Sequence, residues 1–540
     1  VTVSLNPEQL AGVNAVDGDY VMIAGPGSGK TRVLVERYLK MRARGIPDRD
    51  ILNLTFTNAA ATEMVERVGL LNSSDVFRTF HSFCLDLLKR ERASLPFPTC
   101  PTIIPVRGEK FMLIKDLLKT YPPITSYHAL SDRLDKWKAE SVSPQEAMEE
   151  ELNSGIGYFY ALAYRDYERV SREQGWLDFD SLMKETVNLL EVNDAVRARN
   201  KRKYIAVDEC QDTDTTQFQL LRLLYAGNIF VVGDENQLIY EWRSAQSGNL
   251  SNFAKSFMGA RTLYLGQNYR STQNIVSFIK KILPVDNGLA SHMVSMRPLG
   301  EEVRFINYLT EDQEANEVLN EVSDRDIADD SAVLARTNRQ LQLIQRRAMS
   351  RNIKTEILGK KNVWQENEVK HLIELTKERM RDSRPAAVVM KALIQENNLI
   401  YRYSNTKNNP MEKDPVENMN DVIRMAGRKS KATGQPLTVL EFLEWMRKIS
   451  HMRRSKNEPI LTLSTVHQAK GREWKNVFVV GCSQGLMPHK EGELLEEERI
   501  FFVACSRAAD ELQISFTGNR SMFLNDFVKD IEVFDEEDKD

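Results

Sequence analysis

Cysteine is scarce in this chain of 540 residues. The five present (Cys84, Cys100, Cys210, Cys482 and Cys505) never fall in Cys-x-x-Cys spacing. That excludes a disulfide framework, a zinc site or a cysteine-held iron–sulfur cluster as the organising device, and it predicts a reducing, cytoplasmic setting. The seven histidines form no ligand-spaced pair. Long apolar runs are absent: no stretch of 18 such residues exists, so no membrane span is expected. The N-terminus lacks the charged-then-apolar pattern of a signal peptide. There is no fixed-period repeat, and low complexity is confined to the acidic tail. Nor is there a global excess of positive charge. Lys and Arg number 73 against 77 Asp and Glu, a net of −4, so whole-chain charge gives no polyanion signal.

What is there is ordinary globular composition, 42% apolar and 28% charged. The length is too great for one core and predicts three or four domains. Charge is uneven. Residues 376–456 carry 17 Lys/Arg against 9 Asp/Glu, whereas Asp535 to Asp540 holds five acids and one Lys. The basic segment reads equally as a polyanion-facing module or as a solvated helical surface.

Residues 1–95 alternate short apolar runs with amphipathic stretches, as a parallel α/β sheet does. From 96 to 198 the β-like runs vanish. Helices are predicted over Lys110–Lys119, Tyr127–Ala139, Ser143–Glu151 and Tyr158–Gln174, with breaks at Pro96-Phe97-Pro98 and Pro122-Pro123. The sheet pattern returns over 199–260, at Tyr204–Val207 and Ile229–Val232. A second α/β region covers 261–375, with strands expected at Thr262–Leu265, Glu302–Ile306 and Ser331–Ala335. A short basic helical stretch fills 376–456, broken at Asn405–Pro415. The sheet resumes over 457–530 at Ile460–Ser464 and Val477–Val480, before the acidic tail of 531–540. The expected fold class is therefore α/β: two domains of parallel sheet flanked by helices, each carrying one helical insertion.

The most informative stretch is Ala24-Gly25-Pro26-Gly27-Ser28-Gly29-Lys30-Thr31. A short β-prone run precedes it and a helical pattern follows, the context a phosphate-binding loop requires. Its glycines let successive N–H groups and a helix N-terminus face phosphates. Lys30 would reach the β/γ-phosphates and the Thr31 hydroxyl would ligate Mg²⁺. The first position is Ala24, where the consensus has Gly. Tyr204-Ile-Ala-Val-Asp208-Glu209 is a buried-strand pattern ending in two acids. At the C-terminal end of a parallel strand Asp208 can hold Mg²⁺, and Glu209 can orient and deprotonate water. Gly233-Asp234-Glu-Asn-Gln237 ends another apolar run, with Gln237 the candidate γ-phosphate sensor. Tyr240-Glu-Trp242-Arg243 then interleaves aromatics with a cation, as single-strand stacking platforms do; core packing would also account for Trp242 taken alone.

The order of these motifs resembles the UvrD-like superfamily 1 DNA helicases (UvrD, Rep, PcrA), over most of both α/β regions. Leu5-Asn6-Pro7-Glu8-Gln9 is similar to their Q motif, Leu54 to Met64 to motif Ia and Thr79 to Cys84 to Ib. Val207 to Thr213 resembles motif II, Gly233 to Ala245 motif III and Gln267 to Ser271 motif IV. Leu463 to Trp474 resembles motif V, Glu498 to Ala508 motif VI, and Met522 to Leu524 a short DNA-contacting tail segment.

The resemblance implies two RecA-like P-loop domains and an ATP-dependent 3′–5′ DNA helicase acting in repair or replication, cytoplasmic or at the nucleoid. ATP and Mg²⁺ would be its cofactors. Single-stranded DNA and single-/double-strand junctions would be its substrates. A protein partner is expected through residues 376–456 or the acidic tail. Gln9 would read adenine, Arg32 would lie along it, Tyr269 would stack on it, and Glu473 would hold the ribose. Arg270 and Arg507 would act as arginine fingers, worth about 10³–10⁵ in rate by analogy with GTPases. Phe56, Thr57, Asn58, Phe80, His81, Tyr240, Trp242, Arg243, His467 and Phe523 would touch DNA. The second insertion is short for the family, which favours translocation over autonomous unwinding. The chain ends soon after motif VI, with an appended nuclease domain not expected. A protein-displacing translocase, a nucleotide-switch scaffold that does not translocate, and an RNA motor are the alternatives.

Overall fold

A computed structural model describes residues 4–69, 75–95, 102–103, 109–140, 142–239, 249–257, 259–351, 353–359, 366–399, 415–450 and 459–528. The chain divides into two compact units, residues 1–307 with 470–540, and residues 308–469.

The first unit is built on a six-stranded sheet. Its strands are β1 (Tyr20–Ala24), β2 (Ile51–Thr55), β3 (Phe77–Thr79), β4 (Arg202–Val207), β5 (Tyr225–Gly233) and β6 (Arg261–Leu265), in the order β3-β2-β4-β5-β1-β6. Every pairing is parallel. Strands buried on both faces read as continuous apolar runs, and β1 and β2 are buried at every position. Helices α1 (Pro7–Asn14) and α2 (Lys30–Ala43) pack on this sheet through Val13, Val33 and Tyr38, against Phe77 and Phe230. In an open α/β sheet the crevice at the carboxyl ends of the strands is where ligands bind. Here those ends are Ala24, Val207, Gly233 and Leu265. The unit also holds the parallel pair Trp474–Val479 and Ala508–Thr517, joined through the helix Leu494–Cys505.

Between β3 and β4 the same unit carries the predicted helical insertion. Its helices include Glu109–Thr120, Tyr127–Ala139, Pro144–Glu150, Ile156–Gln174 and Phe179–Val192. They enclose their own core of Leu113, Ile114, Leu130, Leu134, Trp137 and Tyr164. The Trp137 and Tyr164 rings stack with centroids 5.4 Å apart.

In the second unit, Leu461–Thr465 pairs in parallel with both Ser331–Ala335 and Thr355–Ile357. The helices Asn367–Glu378, Ala386–Glu396, Pro415–Thr433 and Val439–Ser450 form a separate cluster around Leu372, Val389, Met390, Met419, Val422 and Phe442. The predicted polar break after Asn405, the cations Arg453, Arg454 and Lys456 and the acidic tail lie outside the described residues, as do Cys100 and the Pro96-Phe97-Pro98 break. The other four cysteines are buried free thiols. No described helix is long and apolar enough to cross a membrane.

Candidate active site

The loop Gly25–Gly29 leaves β1 and opens directly into α2. Gly27 and Gly29 both adopt left-handed backbone, at φ +66° and +92°. Space forbids larger residues as well. A Cβ on Gly27 would approach Arg270 Cβ at 2.7 Å, and one on Gly29 would meet Gln9 Nε2 at 2.9 Å. The first turn of α2 carries no acid, so its exposed N–H groups and positive dipole end remain available to an anion. Ser28 donates to Gly25 O at 2.6 Å and braces the loop.

Two further segments lie on that loop. In α1, Asn6 and Gln9 form a reciprocal cap, and Gln9 Nε2 donates to Ser28 O at 3.1 Å. Beyond β6, Asn268 Nδ2 donates to Pro26 O at 2.9 Å and Tyr269 N donates to Gly27 O at 2.9 Å. The Tyr269 ring is 42% exposed, and its hydroxyl accepts from Asn6 Nδ2 at 2.7 Å. Gln9, Arg32 and Tyr269 thus border one side of the phosphate loop.

The acids sit at the end of β4. Asp208 N donates to Leu54 O and its carboxylate accepts from Glu209 N at 3.0 Å. Glu209 occupies the left-handed region at φ +49°, a conformation that costs a non-glycine residue on the order of 1 kcal/mol. Its carboxylate faces Lys30 Nζ at 3.4 Å and accepts from Gln211 Nε2 at 2.6 Å. Burial and the neighbouring Glu209 charge push Asp208 up from the ordinary carboxylate value. Burial opposes charge on Glu209 too, but Lys30, Lys470 and the Gln211 amide outweigh it and hold Glu209 down. The pair is thereby split into a carboxyl that holds its proton more tightly than usual and a carboxylate that stays ionised at neutral pH.

From the end of β5, Asp234 accepts from Gln237 Nε2 at 2.8 Å. Gln237 Oε1 accepts from Arg507 Nη2 at 3.2 Å. Arg507 is only 1% exposed. Burial and the like charge of Arg270 draw it down to about 9, so it stays cationic at neutral pH. Arg270 Nε donates to Glu473 Oε2 at 2.5 Å and Nη1 to Ser506 O at 3.0 Å. The six candidate catalytic residues Lys30, Asp208, Glu209, Gln237, Arg270 and Arg507 therefore converge in one unit.

Sequence reasoning passed over several residues that build this site. Lys470 Nζ donates to both oxygens of Asp212 at 2.8 and 2.6 Å, and to Gln237 O at 2.6 Å. Burial pushes Asp212 up to about 6 even against Lys470. Glu8 Oε2 accepts from Gly266 N at 2.8 Å, which ties α1 to the end of β6. Each is a polar residue within three positions of one that was singled out. That proximity was the available signal.

The candidate DNA residues are dispersed. Thr57 accepts from Ala60 N at 3.1 Å and caps the helix Asn58–Val68, where Asn58 is exposed. Phe56 is half-buried. Phe80 packs in the interior at 3% exposure. His81 follows it, lowered by burial and so held neutral. Phe523 stacks on Phe501 with centroids 5.4 Å apart. His467, in the other unit, is half-buried. Tyr240, Trp242 and Arg243 lie outside the described residues.

Comparison with known proteins bears on this geometry. The model of the UvrD/REP helicase N-terminal domain matches residues 5–258. That of the UvrD-like helicase C-terminal domain matches residues 263–395 and 387–519. The ATP-dependent DNA helicase PcrA of Staphylococcus aureus (strain MRSA252) is 28% identical over 621 aligned positions, which cover 96% of this chain and 84% of that protein. PcrA of Staphylococcus epidermidis (strain ATCC 12228) is 28% identical over 629 positions with the same coverage. Both alignments are longer than the chain, so these relatives carry segments that it lacks.

Proposed function

The chain belongs to the UvrD-like helicase family, and from that premise we propose that it is an ATP-dependent DNA helicase that moves 3′ to 5′ on single-stranded DNA. One observation carries the reading. A P-loop lysine, a strand-end acid pair, a sensing glutamine and two arginines drawn from positions 30 to 507 meet in one compact unit.

Each residue has a task in phosphoryl transfer. Gln9 and Tyr269 hold the base, and the N–H groups of Gly27 to Thr31 hold the phosphates. Negative charge spreads over the γ-phosphoryl oxygens as the terminal bond breaks. Lys30, Arg270 and Arg507 meet that charge. Glu209, kept ionised, orients the attacking water and takes its proton. Glu473 must release Arg270 for this to happen and is then free to take the ribose hydroxyls. The donor set fits Mg²⁺: the Thr31 hydroxyl in the first turn of α2, and Asp208, a buried acid that burial raises despite the nearby Lys30 charge and that makes no salt bridge among the described residues. Mg²⁺ held by these two residues would supply positive charge that offsets the charge of the phosphates.

The test is ATP turnover measured with single-stranded DNA, duplex and RNA at stated salt, since binding is electrostatic. Single-stranded DNA is expected to stimulate turnover most. Indifference to all three would overturn the motor reading in favour of a nucleotide-switch scaffold, and stimulation by RNA alone would make it an RNA motor. A 3′-tailed duplex assay beside streptavidin displacement tests unwinding. Displacement without unwinding would overturn the helicase reading in favour of a protein-displacing translocase.

A further inference from the structure

Gln211 is fully buried beside the acid pair and is not among the residues assigned a role above. We propose that it is a positioning residue for Glu209, the member next to it in a hydrogen-bonded relay that joins Glu209 to Arg507. The inference rests on reading Glu209 as the base.

The relay is defined by donors that cannot be reversed. A backbone N–H only donates, so the bond from Asp234 N at 3.0 Å must end on Gln211 Oε1. The Nε2 end of the same amide is thereby turned to Glu209 Oε2, at 2.6 Å. An arginine likewise only donates, so Arg507 must bond Gln237 through Oε1, which turns Gln237 Nε2 to Asp234 Oδ2. Two amides are thus polarised the same way, each by a donor of fixed sign, and Asp234 links them through its N–H and its carboxylate.

The surrounding structure leaves a slot for this arrangement. A Cβ on Gly233 would come within 2.4 Å of Gln211 Oε1. Glycine here is therefore required for close approach, not for backbone freedom. The backbone of Gln237 is pinned separately, by Lys470 on its carbonyl. Its side chain is then the part free to respond when Arg507 moves. The Glu209 carboxylate has two side-chain partners, Lys30 Nζ at 3.4 Å and Gln211 Nε2 at 2.6 Å, and the bond to the amide is the shorter. Arg507 docked on Gln237 keeps that amide aligned, so the arginine reports its position to the base without touching it.

The experiment uses the full chain with saturating single-stranded DNA and compares Gln211→Met, Gln237→Met and the double variant. Gln211→Met is expected to lower kcat about 10- to 100-fold, the worth of one hydrogen bond to a charged group. Affinity for a fluorescent ATP analogue should stay within about twofold, which separates the effect from ground-state binding. Residues acting as one relay are non-additive, so the double variant should fall no more than about threefold below the slower single one. Gln211→Glu covers the case in which Gln211→Met fails to fold. It keeps the acceptor for Asp234 N but sets a like charge against Glu209, and it should be as slow. A near-native kcat in either Gln211 variant, or losses that multiply, would overturn the relay. Glu209→Gln separates the two levels. If it still turns over, the base assignment itself fails; if it is dead while the Gln211 variants are active, only the relay fails.

Discussion

In the first helical insertion, Asp178 accepts from Lys138 Nζ at 2.7 Å, from the Tyr167 hydroxyl at 2.7 Å and from Ser181 N at 2.7 Å, with Lys110 Nζ at 3.4 Å. At the nucleotide site, Asp208 is just as buried but accepts from Glu209 N and pairs with no cation among the described residues. Both regions take charge out of water, which costs several kcal/mol per ion unless partners repay it. The insertion repays it internally. Burial opposes charge on Asp178, yet Lys138 and Lys110 hold it well below its ordinary value. Burial likewise opposes charge on Lys138, yet Asp178 and Glu168 hold it well above. Around Asp208 the balance has the opposite sign, and burial wins. The first cluster is closed and specifies how four helices meet. The second is open, in that its buried acid has no salt bridge among the described residues.

The largest effect should come from the open cluster. Glu209→Gln is nearly isosteric, so ATP and DNA binding should persist while kcat falls about 10²- to 10⁴-fold, the contribution of a general base. Filter binding and single-turnover hydrolysis read the two separately. Asp178→Ala should do the reverse. It removes the carboxylate shared by two buried ammonium groups, leaving Lys110 with Asp135 and Lys138 with Glu168, and breaking such a network costs about 3–5 kcal/mol. Denaturant unfolding followed by tryptophan fluorescence should show the loss, with kcat per folded molecule unchanged. A catalytic defect without a stability defect in Asp178→Ala would erase the distinction between the two clusters.

The parts that sequence reasoning reached are those written in local pattern. Helices expected at Tyr127–Ala139 and Tyr158–Gln174 are observed at Tyr127–Ala139 and Ile156–Gln174, because apolar spacing sets them directly. The strand ending at Val207 and the loop around Lys30 follow from the same adjacency of residue and element. What escaped were bonds whose partners are distant in the chain. Lys470 and Asp212 are 258 residues apart, and Asn6 and Tyr269 are 263 apart. Such pairs exist only once distant segments pack together; Asn6 meets Tyr269 because β6 lies beside β1. Lys138 and Lys110 were invisible for a related reason. A lysine in an amphipathic helix is read as surface charge, and only the packing of Tyr127–Ala139 on its neighbours buries it.

Protonation should sharpen the contrast at smaller amplitude. A carboxyl raised in the folded state holds a proton that the unfolded chain releases. Its stabilising contribution is present below the unfolded value, near 4, and is lost as pH rises through the folded value. Nucleotide-free Asp208→Asn should therefore melt higher than the native chain at pH 8, by something on the order of 1 kcal/mol, and the gap should close towards pH 4. Asp178 has the opposite sign. Its contribution is present above about 4 and is lost as pH falls through its depressed value, so Asp178→Asn should be harmful at pH 8 and less so in acid. If both substitutions destabilise at pH 8, the open cluster is closed after all.

The smallest effect should come from charge that was never desolvated. Arg379 Nη2 reaches Glu396 Oε2 at 3.0 Å, with both side chains about half exposed. The pair lies in the segment whose excess of Lys and Arg drew attention in the sequence. Water screens it from both sides, and ordering two long side chains offsets most of the attraction. Arg379→Ala should change stability by about 0–1 kcal/mol, less at high salt. Unfolding at low and high ionic strength checks this. A salt-independent loss above about 2 kcal/mol would mean that Arg379 is held as Lys138 is, by burial among fixed partners. Density of charge along the chain would then be a guide to structure here. On the geometry of this pair it is not, since what separates Asp178 and Asp208 from Glu396 is how much water each has lost and which cation, if any, has replaced it.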